Sequence, residues 1–239
     1  MMIFAHRGNS SVAPENTMAA FRAAQEAGAA GIEFDVQLTK DGVPIVIHDE
    51  RVDRTTSGKG GVVEQTLTQL QALDAGAWFN PSFAGERLPT LAQLLEHFRG
   101  SSMWLNIELK TNRLPYPGLV PAVLKLVEQF GMQQQVILSS FNHNTLKEVQ
   151  TLAPRIECAA LVSDALVEPW TYARQHGFQG IHPYFSQIDE ALMEGCRAVG
   201  LAVRAWTVDE APAAEQLKAL GVAAVITNKP RDLRPLASR

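Results

Sequence analysis

The sequence predicts a closed (β/α)8 barrel of the TIM type, and three observations support this fold class. Short apolar runs alternate with helix-like segments, which favours parallel strands joined by crossover helices. Several helix-like segments end in glycine just before the next apolar run, which is a common way for a helix to stop. The chain has 239 residues, and eight strand–helix units in about 240 residues fit a closed barrel better than an open sheet.

Each element is predicted from a local pattern. Nine apolar runs are strand candidates, at residues 3–5, 31–38, 44–47, 103–109, 136–140, 158–162, 180–182, 201–206 and 223–226. The first helix is predicted to open at Pro14, since proline favours the first turn, and to stop at Gly28. The other helix candidates are residues 91–98, 119–130, 144–152, 170–176, 188–199 and 211–220.

Nine strands are one too many for the barrel, and a hairpin accounts for the excess. Asp41-Gly42 is a strong two-residue turn signal. Two residues are too few for a parallel crossover, so the third strand should run antiparallel to the second. A two-residue loop places Asp35 opposite His48, and the period of two puts Glu33 on the same face as Asp35.

Residues 50–88 interrupt the alternation of strands and helices. This segment holds a glycine-rich loop at 55–61 and an aromatic, turn-rich stretch at 74–81. A long insertion after a barrel strand usually lies over the catalytic mouth. We therefore expect a lid-like insertion on a single β/α-barrel domain that spans residues 1–239.

Composition excludes several classes of protein. Hydrophobic residues make up 46% and charged residues 19% of the chain, which is typical of a globular domain and excludes a disordered chain. The net charge of -4 makes nucleic acid an unexpected partner. No apolar run approaches the roughly 18 residues of a membrane span, and the N-terminus lacks a signal-peptide pattern. Cys158 and Cys196 cannot form a disulfide framework, so we expect a reducing compartment, the cytoplasm.

Polar side chains that can do chemistry fall at the predicted strand ends, which meet at the mouth of a barrel. They are His6, Arg7, Glu33, Asp35, His48, Glu108 and Lys110. Taken alone, each of these residues fits a structural or surface position as readily as a chemical role. Their occurrence together at the ends of several strands indicates a site.

These residue types favour phosphate ester cleavage assisted by a metal ion. Three carboxylates in one pocket cannot all stay ionised without compensation, which one hard divalent cation, Mg²⁺ or Ca²⁺, would supply. Arg7 offers a fork that fits phosphate oxygens, and Lys110 offers a point charge. Two histidines suit an acid and a base on opposite sides of a reacting centre.

The same residues resemble the glycerophosphodiester phosphodiesterase family. The match begins with His6-Arg7-Gly8 and Pro14-Glu15-Asn16-Thr17, and it covers nearly the whole chain. It continues through Glu33-Phe34-Asp35-Val36, Thr39-Lys40-Asp41-Gly42, His48-Asp49, Arg54-Thr55-Thr56, Leu73-Asp74-Ala75-Gly76, Trp78-Phe79, Leu88-Pro89-Thr90-Leu91, Asn106-Ile107-Glu108-Leu109-Lys110, Ser139-Ser140-Phe141 and Trp206-Thr207-Val208.

The resemblance implies a phospholipase-C-like barrel with a small insertion after His48-Asp49. It implies hydrolysis of small-molecule glycerophosphodiesters, the deacylated phospholipid head groups, to sn-glycerol 3-phosphate and an alcohol. In length, the chain is similar to the cytoplasmic members of the family. One departure is visible near the C-terminus: Asn228 stands where many members carry aspartate, and Lys229 where many carry an aromatic residue.

The resemblance also implies a role for each site residue. His6 and His48 would be the general acid and base, with their order left open, and Glu33, Asp35 and Glu108 would hold the cation. Arg7 would bind the phosphate, Lys110 would support it, and Trp206 would line the pocket.

Several alternatives remain open at this point. Within the same barrel class, they are a lysophospholipase D-like activity and a phosphodiesterase that stops at a cyclic phosphate. Trp78, Phe79 and Phe83 in the insertion fit either a membrane-facing rim or packing within the lid. The others are a monoester hydrolase and a non-catalytic barrel, although a non-catalytic barrel would be expected to lack one of the histidines or carboxylates.

Overall fold

The computed structural model describes residues 1–237, and nine strands in that part of the chain form one sheet. The strands are β1 (Met2–His6), β2 (Gly31–Leu38), β3 (Pro44–Val46), β4 (Trp104–Leu109), β5 (Val136–Ser140), β6 (Glu157–Val162), β7 (Gly180–Pro183), β8 (Ala202–Ala205) and β9 (Ala224–Thr227). All except β3 pair in parallel, and β1 closes the barrel by pairing with both β2 and β9. The predicted eight-stranded barrel is confirmed.

Helices connect most of the strands. They are α1 (Met18–Glu26), α2 (Leu67–Gln71), α3 (Leu91–Phe98), α4 (Leu119–Gln129), α5 (His143–Leu152), α6 (Pro169–Gln175), α7 (Glu190–Ala198), α8 (Ala211–Leu220) and α9 (Pro230–Leu233). Short 3₁₀ turns add residues 62–64, 81–83, 185–187 and 234–236. The predicted glycine stops are confirmed, since Gly131, Gly177, Gly200 and Gly221 all have positive φ angles.

Alternate residues of the strands fill the inside of the barrel. Phe4, Ile137, Ala159 and Ile226 form a buried apolar cluster there, while the outward faces pack against the helices. Such a filled interior is a packed core and not a pore. The polar residues therefore collect above this cluster, at the carboxyl ends of the strands.

The hairpin forms as predicted, but its register differs by one residue. The Ile47 N–H donates to the Asp35 carbonyl at 3.0 Å, so the prediction that His48 lies opposite Asp35 is wrong. The loop has three residues and not two, because Gly42 adopts φ 78° and donates to the Thr39 carbonyl at 3.0 Å. Three-residue loops that end in a left-handed glycine are a common hairpin type.

The first helix begins later than predicted. It starts at Met18, and Thr17 caps it by accepting a hydrogen bond from the Ala20 N–H. Asn16 has φ 58°, a left-handed conformation that no helix residue adopts. The segment from Pro14 is consequently a turn, which leaves its side chains available to the barrel mouth.

The insertion packs around a second apolar cluster, which it shares with the strand β3 region. Ile45 and Ile47 contribute from the hairpin, and Val52, Val62, Leu70, Ala75 and Leu88 contribute from the insertion. Within residues 1–237, no helix is both long and apolar enough to cross a membrane.

Candidate active site

Three carboxylates meet at the carboxyl ends of β2 and β4. The parallel pairing sets Asp35 beside Glu108, and Glu33 lies two residues earlier on the same face of β2. One oxygen from each carboxylate lies within 4.8 Å of the others, and all three residues are buried. The predicted acidic set is thus assembled in the structure.

Two cations border this cluster. Lys110 Nζ lies 2.9 Å from Glu108 Oε1 and 3.7 Å from Asp35 Oδ1, as expected for residues two positions apart in an extended segment, whose side chains share a face. Arg7 Nε lies 3.5 Å from Asp35 Oδ2. Asn16 Nδ2 donates to the same oxygen at 2.9 Å. Asp35 therefore has the most compensation of the three carboxylates.

The pKa values of the three carboxyls separate accordingly. Burial, together with Asp35 and Glu108, raises the pKa of Glu33 well above its usual value. Burial and Asp35 also raise the pKa of Glu108. Burial opposes ionisation of Asp35 as well, but Lys110 and Arg7 outweigh it and hold the Asp35 pKa below its usual range. The protein's own cations do not neutralise the cluster fully.

This set of residues fits a hard divalent cation. Carboxylate oxygens are the ligands that Mg²⁺ and Ca²⁺ prefer. Asp35 Oδ1 is buried and accepts no hydrogen bond from the described residues, so this oxygen remains available to a cation. Buried acceptors of this kind are normally satisfied by a donor, a water or an ion.

His6 stands at the end of β1, next to Glu33 in the strand pairing. Its Nε2 lies 3.9 Å from Glu33 Oε2, and its Nδ1 lies 2.7 Å from Asn228 Oδ1. Burial and the charge of Arg7 lower the His6 pKa to about 4. The ring is consequently neutral near pH 7, as a general base must be.

His48 lies two residues after β3 and lines the same cavity as Lys110. Its Nδ1 lies 2.7 Å from Asp49 Oδ1, and Arg54 Nε donates to Asp49 Oδ2 at 2.7 Å. This bond to Arg54 lowers the Asp49 pKa to about 2. Gln37 Nε2 donates to the carbonyls of His48 and Asp49 at 2.9 and 2.8 Å. Both the ring and its backbone are held by side chains.

The loop after β1 sets the direction of Arg7. Arg7 has φ 55°, a conformation that costs a non-glycine residue roughly 1 kcal/mol or more. Gly8 follows at φ 83°, and a Cβ there would lie 2.6 Å from the backbone of Ala20. Arg7 Nη1 donates to Glu15 Oε1 at 2.9 Å. The guanidinium is thereby fixed over the carboxylate cluster.

A cavity of about 480 Å³ opens beside these groups, and His48, Lys110 and Phe141 form part of its wall. The Trp206 ring makes an edge contact with Phe141 at 5.4 Å between centroids, and its Nε1 donates to the His182 carbonyl at 2.7 Å. Trp206 therefore contacts Phe141 but is not among the described residues that line this cavity. A larger surface cavity of about 720 Å³ lies near α4, at the opposite end of the barrel.

Several residues of the site carry no chemical role in the sequence prediction. They are Glu15, Asn16, Gln37, Arg54 and Asp209. The sequence could have indicated a role for Gln37, because a polar residue in an otherwise buried strand needs hydrogen-bond partners. Arg54 lies 39 positions from Glu15, which it contacts, and no local pattern announces such a pair.

Comparisons with known proteins cover the whole barrel. The model of the glycerophosphoryl diester phosphodiesterase family matches residues 6–232. A glycerophosphodiester phosphodiesterase of Caldanaerobacter subterraneus subsp. tengcongensis is 44% identical over 232 residues, which are 97% of this chain and 96% of that protein.

Two solved structures extend the similarity to the fold. An Oleispira antarctica phosphodiesterase in complex with the product sn-glycerol 3-phosphate has a TM-score of 0.91 at 32% identity, with 98% of this chain and 96% of that chain covered. The glycerophosphodiester phosphodiesterase of Agrobacterium tumefaciens has a TM-score of 0.85 at 31% identity, with 97% of each chain covered.

Proposed function

Because this chain belongs to the glycerophosphoryl diester phosphodiesterase family, we propose that it hydrolyses glycerophosphodiesters to sn-glycerol 3-phosphate and an alcohol. The single observation that carries the proposal is the meeting of two imidazoles, three carboxylates and two cations at one end of the barrel. Acid–base groups beside a cation site and phosphate-binding side chains are what diester cleavage requires.

One divalent cation, Mg²⁺ or Ca²⁺, would be held by Glu33, Asp35 and Glu108. When bound, it supplies Lewis-acid chemistry to the phosphate diester and neutralises developing negative charge. The raised pKa values of Glu33 and Glu108 support this assignment, since they show negative charge in the cluster that is not fully compensated, and a bound cation would favour the ionised form of both carboxyls.

His6 and His48 would move the protons. One imidazole takes the proton of the attacking hydroxyl, which we propose to be the 2-hydroxyl of the substrate's glycerol. The other gives a proton to the departing alkoxide, so that the alcohol leaves neutral. Water then opens the resulting cyclic phosphate with the two roles exchanged.

The remaining side chains would bind and orient the substrate. Arg7 presents a planar fork to two phosphate oxygens, and Lys110 adds a point charge beside them. Trp206 supports Phe141, whose ring borders the cavity, and thereby shapes the pocket wall. Such orientation can supply several kcal/mol of the barrier reduction.

No described contact of the insertion favours lysolipid over the deacylated substrate. The Phe79 ring packs edge-on against Trp78 and Phe83, with centroids 5.8 Å apart in each pair, as expected for packing within the lid, and Trp78 is 40% exposed. For the cell compartment we propose the cytoplasm, because Cys158 and Cys196 are both buried free thiols, which suits a reducing environment.

The proposal is tested by supplying purified protein with glycerophosphocholine and Mg²⁺ or Ca²⁺ and measuring release of sn-glycerol 3-phosphate. Lysophosphatidylcholine and a simple phosphate monoester are assayed in parallel as alternative substrates. We expect cleavage of the diester, and a transient cyclic phosphate detectable by ³¹P NMR. Preferred cleavage of the lysolipid or the monoester would overturn the substrate assignment.

Variants test the histidine roles. His6→Ala and His48→Ala should each lower the rate by roughly 10²–10⁴-fold. His97→Ala is the matched control, because His97 is an exposed histidine on α3. If either site variant kept the rate of the His97 control, that histidine would not be the acid or the base.

A further inference from the structure

A chain of hydrogen bonds runs from Asp209 to His6. Asp209 Oδ2 accepts a hydrogen bond from Asn228 Nδ2 at 2.7 Å, and Asn228 Oδ1 lies 2.7 Å from His6 Nδ1. The other Asp209 oxygen, Oδ1, accepts from Asn228 N–H at 2.8 Å and from Thr227 Oγ1 at 2.9 Å. Asp209 is therefore anchored on one side and holds the Asn228 amide on the other.

The donor and acceptor rules determine the direction of every bond in this chain. An ionised carboxylate only accepts hydrogen bonds, so the amide NH₂ of Asn228 must face Asp209. The amide oxygen of Asn228 must then face His6, and an oxygen acceptor there requires that Nδ1 carries the proton. This holds for the neutral and for the protonated ring alike, because Nδ1 donates in both.

We propose that Asp209, acting through Asn228, selects Nε2 as the nitrogen of His6 that exchanges protons during the reaction. Nε2 is the ring nitrogen that faces the carboxylate cluster, 3.9 Å from Glu33 Oε2. The inference rests on the proposed function, in which His6 is an acid or base. Asn228 and Asp209 are positioning residues, since neither touches the reacting atoms.

An isosteric variant separates this role from simple structure. In Asp209→Asn, the amide oxygen keeps the two bonds from Thr227 and the Asn228 N–H, and the amide NH₂ takes the place of Oδ2. Two NH₂ groups would then face each other, so the Asn228 amide turns over and offers its NH₂ to His6. Nδ1 must become the acceptor, and the proton moves to Nε2, which can no longer act as a base.

A second variant restores the pattern with the groups exchanged. In Asn228→Asp combined with Asp209→Asn, the new carboxylate at 228 accepts from His6 Nδ1 and also from the new amide at 209. Nε2 is again free to take a proton. Asp164→Asn is the matched control, because Asp164 is exposed and its side chain hydrogen-bonds with Ser163 alone among the described residues.

The direct test is a ¹H–¹⁵N multiple-bond spectrum of the full chain with ¹⁵N-labelled histidine, in which His6→Ala assigns the His6 signals. We expect a protonated, pyrrole-type Nδ1 and a pyridine-type Nε2 in the wild type and in the double variant. The single Asp209→Asn variant should show the reverse. A wild-type His6 with the proton on Nε2, or no change in Asp209→Asn, would overturn the inference.

Kinetics with glycerophosphocholine supply the second readout. Asp209→Asn should lower kcat roughly 10²–10⁴-fold with KM little changed, as expected when a catalytic histidine is held in the wrong tautomer. The double variant should recover most of this loss, and a double variant as slow as the single one would count against the inference. A wild-type chain that cleaves no diester would refute the proposed function alone, because the nitrogen spectrum does not depend on activity.

Discussion

Arg54 and Glu15 form a bidentate ion pair at the barrel mouth, in which Arg54 Nη1 and Nη2 each lie 2.8 Å from a different carboxylate oxygen of Glu15. The same guanidinium contacts Asp49 through Nε at 2.7 Å and Nη2 at 3.0 Å. Glu15 in turn holds Arg7, and Asp49 holds His48. One residue of the insertion thus connects the supports of the phosphate-binding arginine and of a candidate catalytic histidine.

Arg54→Ala should lower kcat/KM by roughly 10–100-fold, which is typical when the partners that orient site residues are removed. Arg54→Lys should recover only part of this loss, because a single ammonium cannot make both forked contacts. Steady-state kinetics with glycerophosphocholine measure both variants.

Arg87→Ala is the control for this prediction, since Arg87 is an exposed arginine of the same insertion that donates to the Ala72 carbonyl. It should retain wild-type kinetics. Equal losses in the Arg54 and Arg87 variants would mean that the insertion contributes only through its general stability.

The sequence predicts the site best where the position of a side chain depends on the local repeat of a strand. Glu33 and Asp35 share a face because strands repeat every two residues, and Glu108 with Lys110 follows the same rule. The partners of His6 and His48 depend on tertiary contacts instead, and Asn228 is 222 positions from His6. The register error at His48 has a local cause, since Gly42 permits a three-residue loop that the Asp-Gly pair alone does not distinguish from a two-residue one.

Cation binding should stabilise the protein more at pH 8 than at pH 5.5, because protons compete with the cation for the carboxylates of Glu33 and Glu108 at the lower pH. The folded pKa values of Glu33 and Glu108 lie above their usual value of 4.5, so the folded state binds more protons than the unfolded state above that pH. Stability of the metal-free chain therefore falls as pH rises. Asp35 has a lowered pKa and acts in the opposite sense, but only at lower pH.

Thermal unfolding in chelator and in Mg²⁺ or Ca²⁺ measures this effect. At a cation concentration 100 times Kd the gain is about 2.7 kcal/mol, which is roughly 5–10 °C in Tm for a chain of this size. Glu33→Gln is the control: in chelator at pH 8 it should melt above the wild type, and it should respond little to cation. An equal cation shift at both pH values would exclude the carboxyl cluster as the site.

Lys110→Met should destabilise the metal-free chain by about 3 kcal/mol at pH 8, because it leaves a buried carboxylate without its partner. Lys110 Nζ is the partner of Glu108 at 2.9 Å. The loss should be smaller at pH 5.5, where Glu108 can take up a proton. Denaturant unfolding of the variant at both pH values tests this.

Lys147→Met serves as the matched substitution, since Lys147 is exposed on α5. Its free energy of unfolding should stay within about 0.5 kcal/mol of the wild type. A Lys110 variant whose loss did not change with pH would show that packing, and not charge, accounts for its stability.

Gln37→Met should reduce stability by about 2–3 kcal/mol and kcat by roughly tenfold or more, because it leaves buried groups without partners and releases the loop that positions His48. Gln37 Nε2 donates to the carbonyls of Ile47, His48 and Asp49 at 3.1, 2.9 and 2.8 Å, and its Oε1 accepts from Tyr116 at 2.6 Å. Methionine keeps the volume of the side chain and removes the donor.

Tyr116→Phe tests the acceptor end of the Gln37 amide separately from its donor end. It removes only the hydroxyl, so it should cost about 1 kcal/mol and leave kcat near the wild-type value, since Gln37 still holds the three carbonyls. Chemical denaturation and steady-state kinetics on the same preparations give both quantities. If Gln37→Met lost stability but kept kcat, the His48 ring would be positioned by Asp49 and Arg54 alone, and the buried amide would serve the fold and not the chemistry.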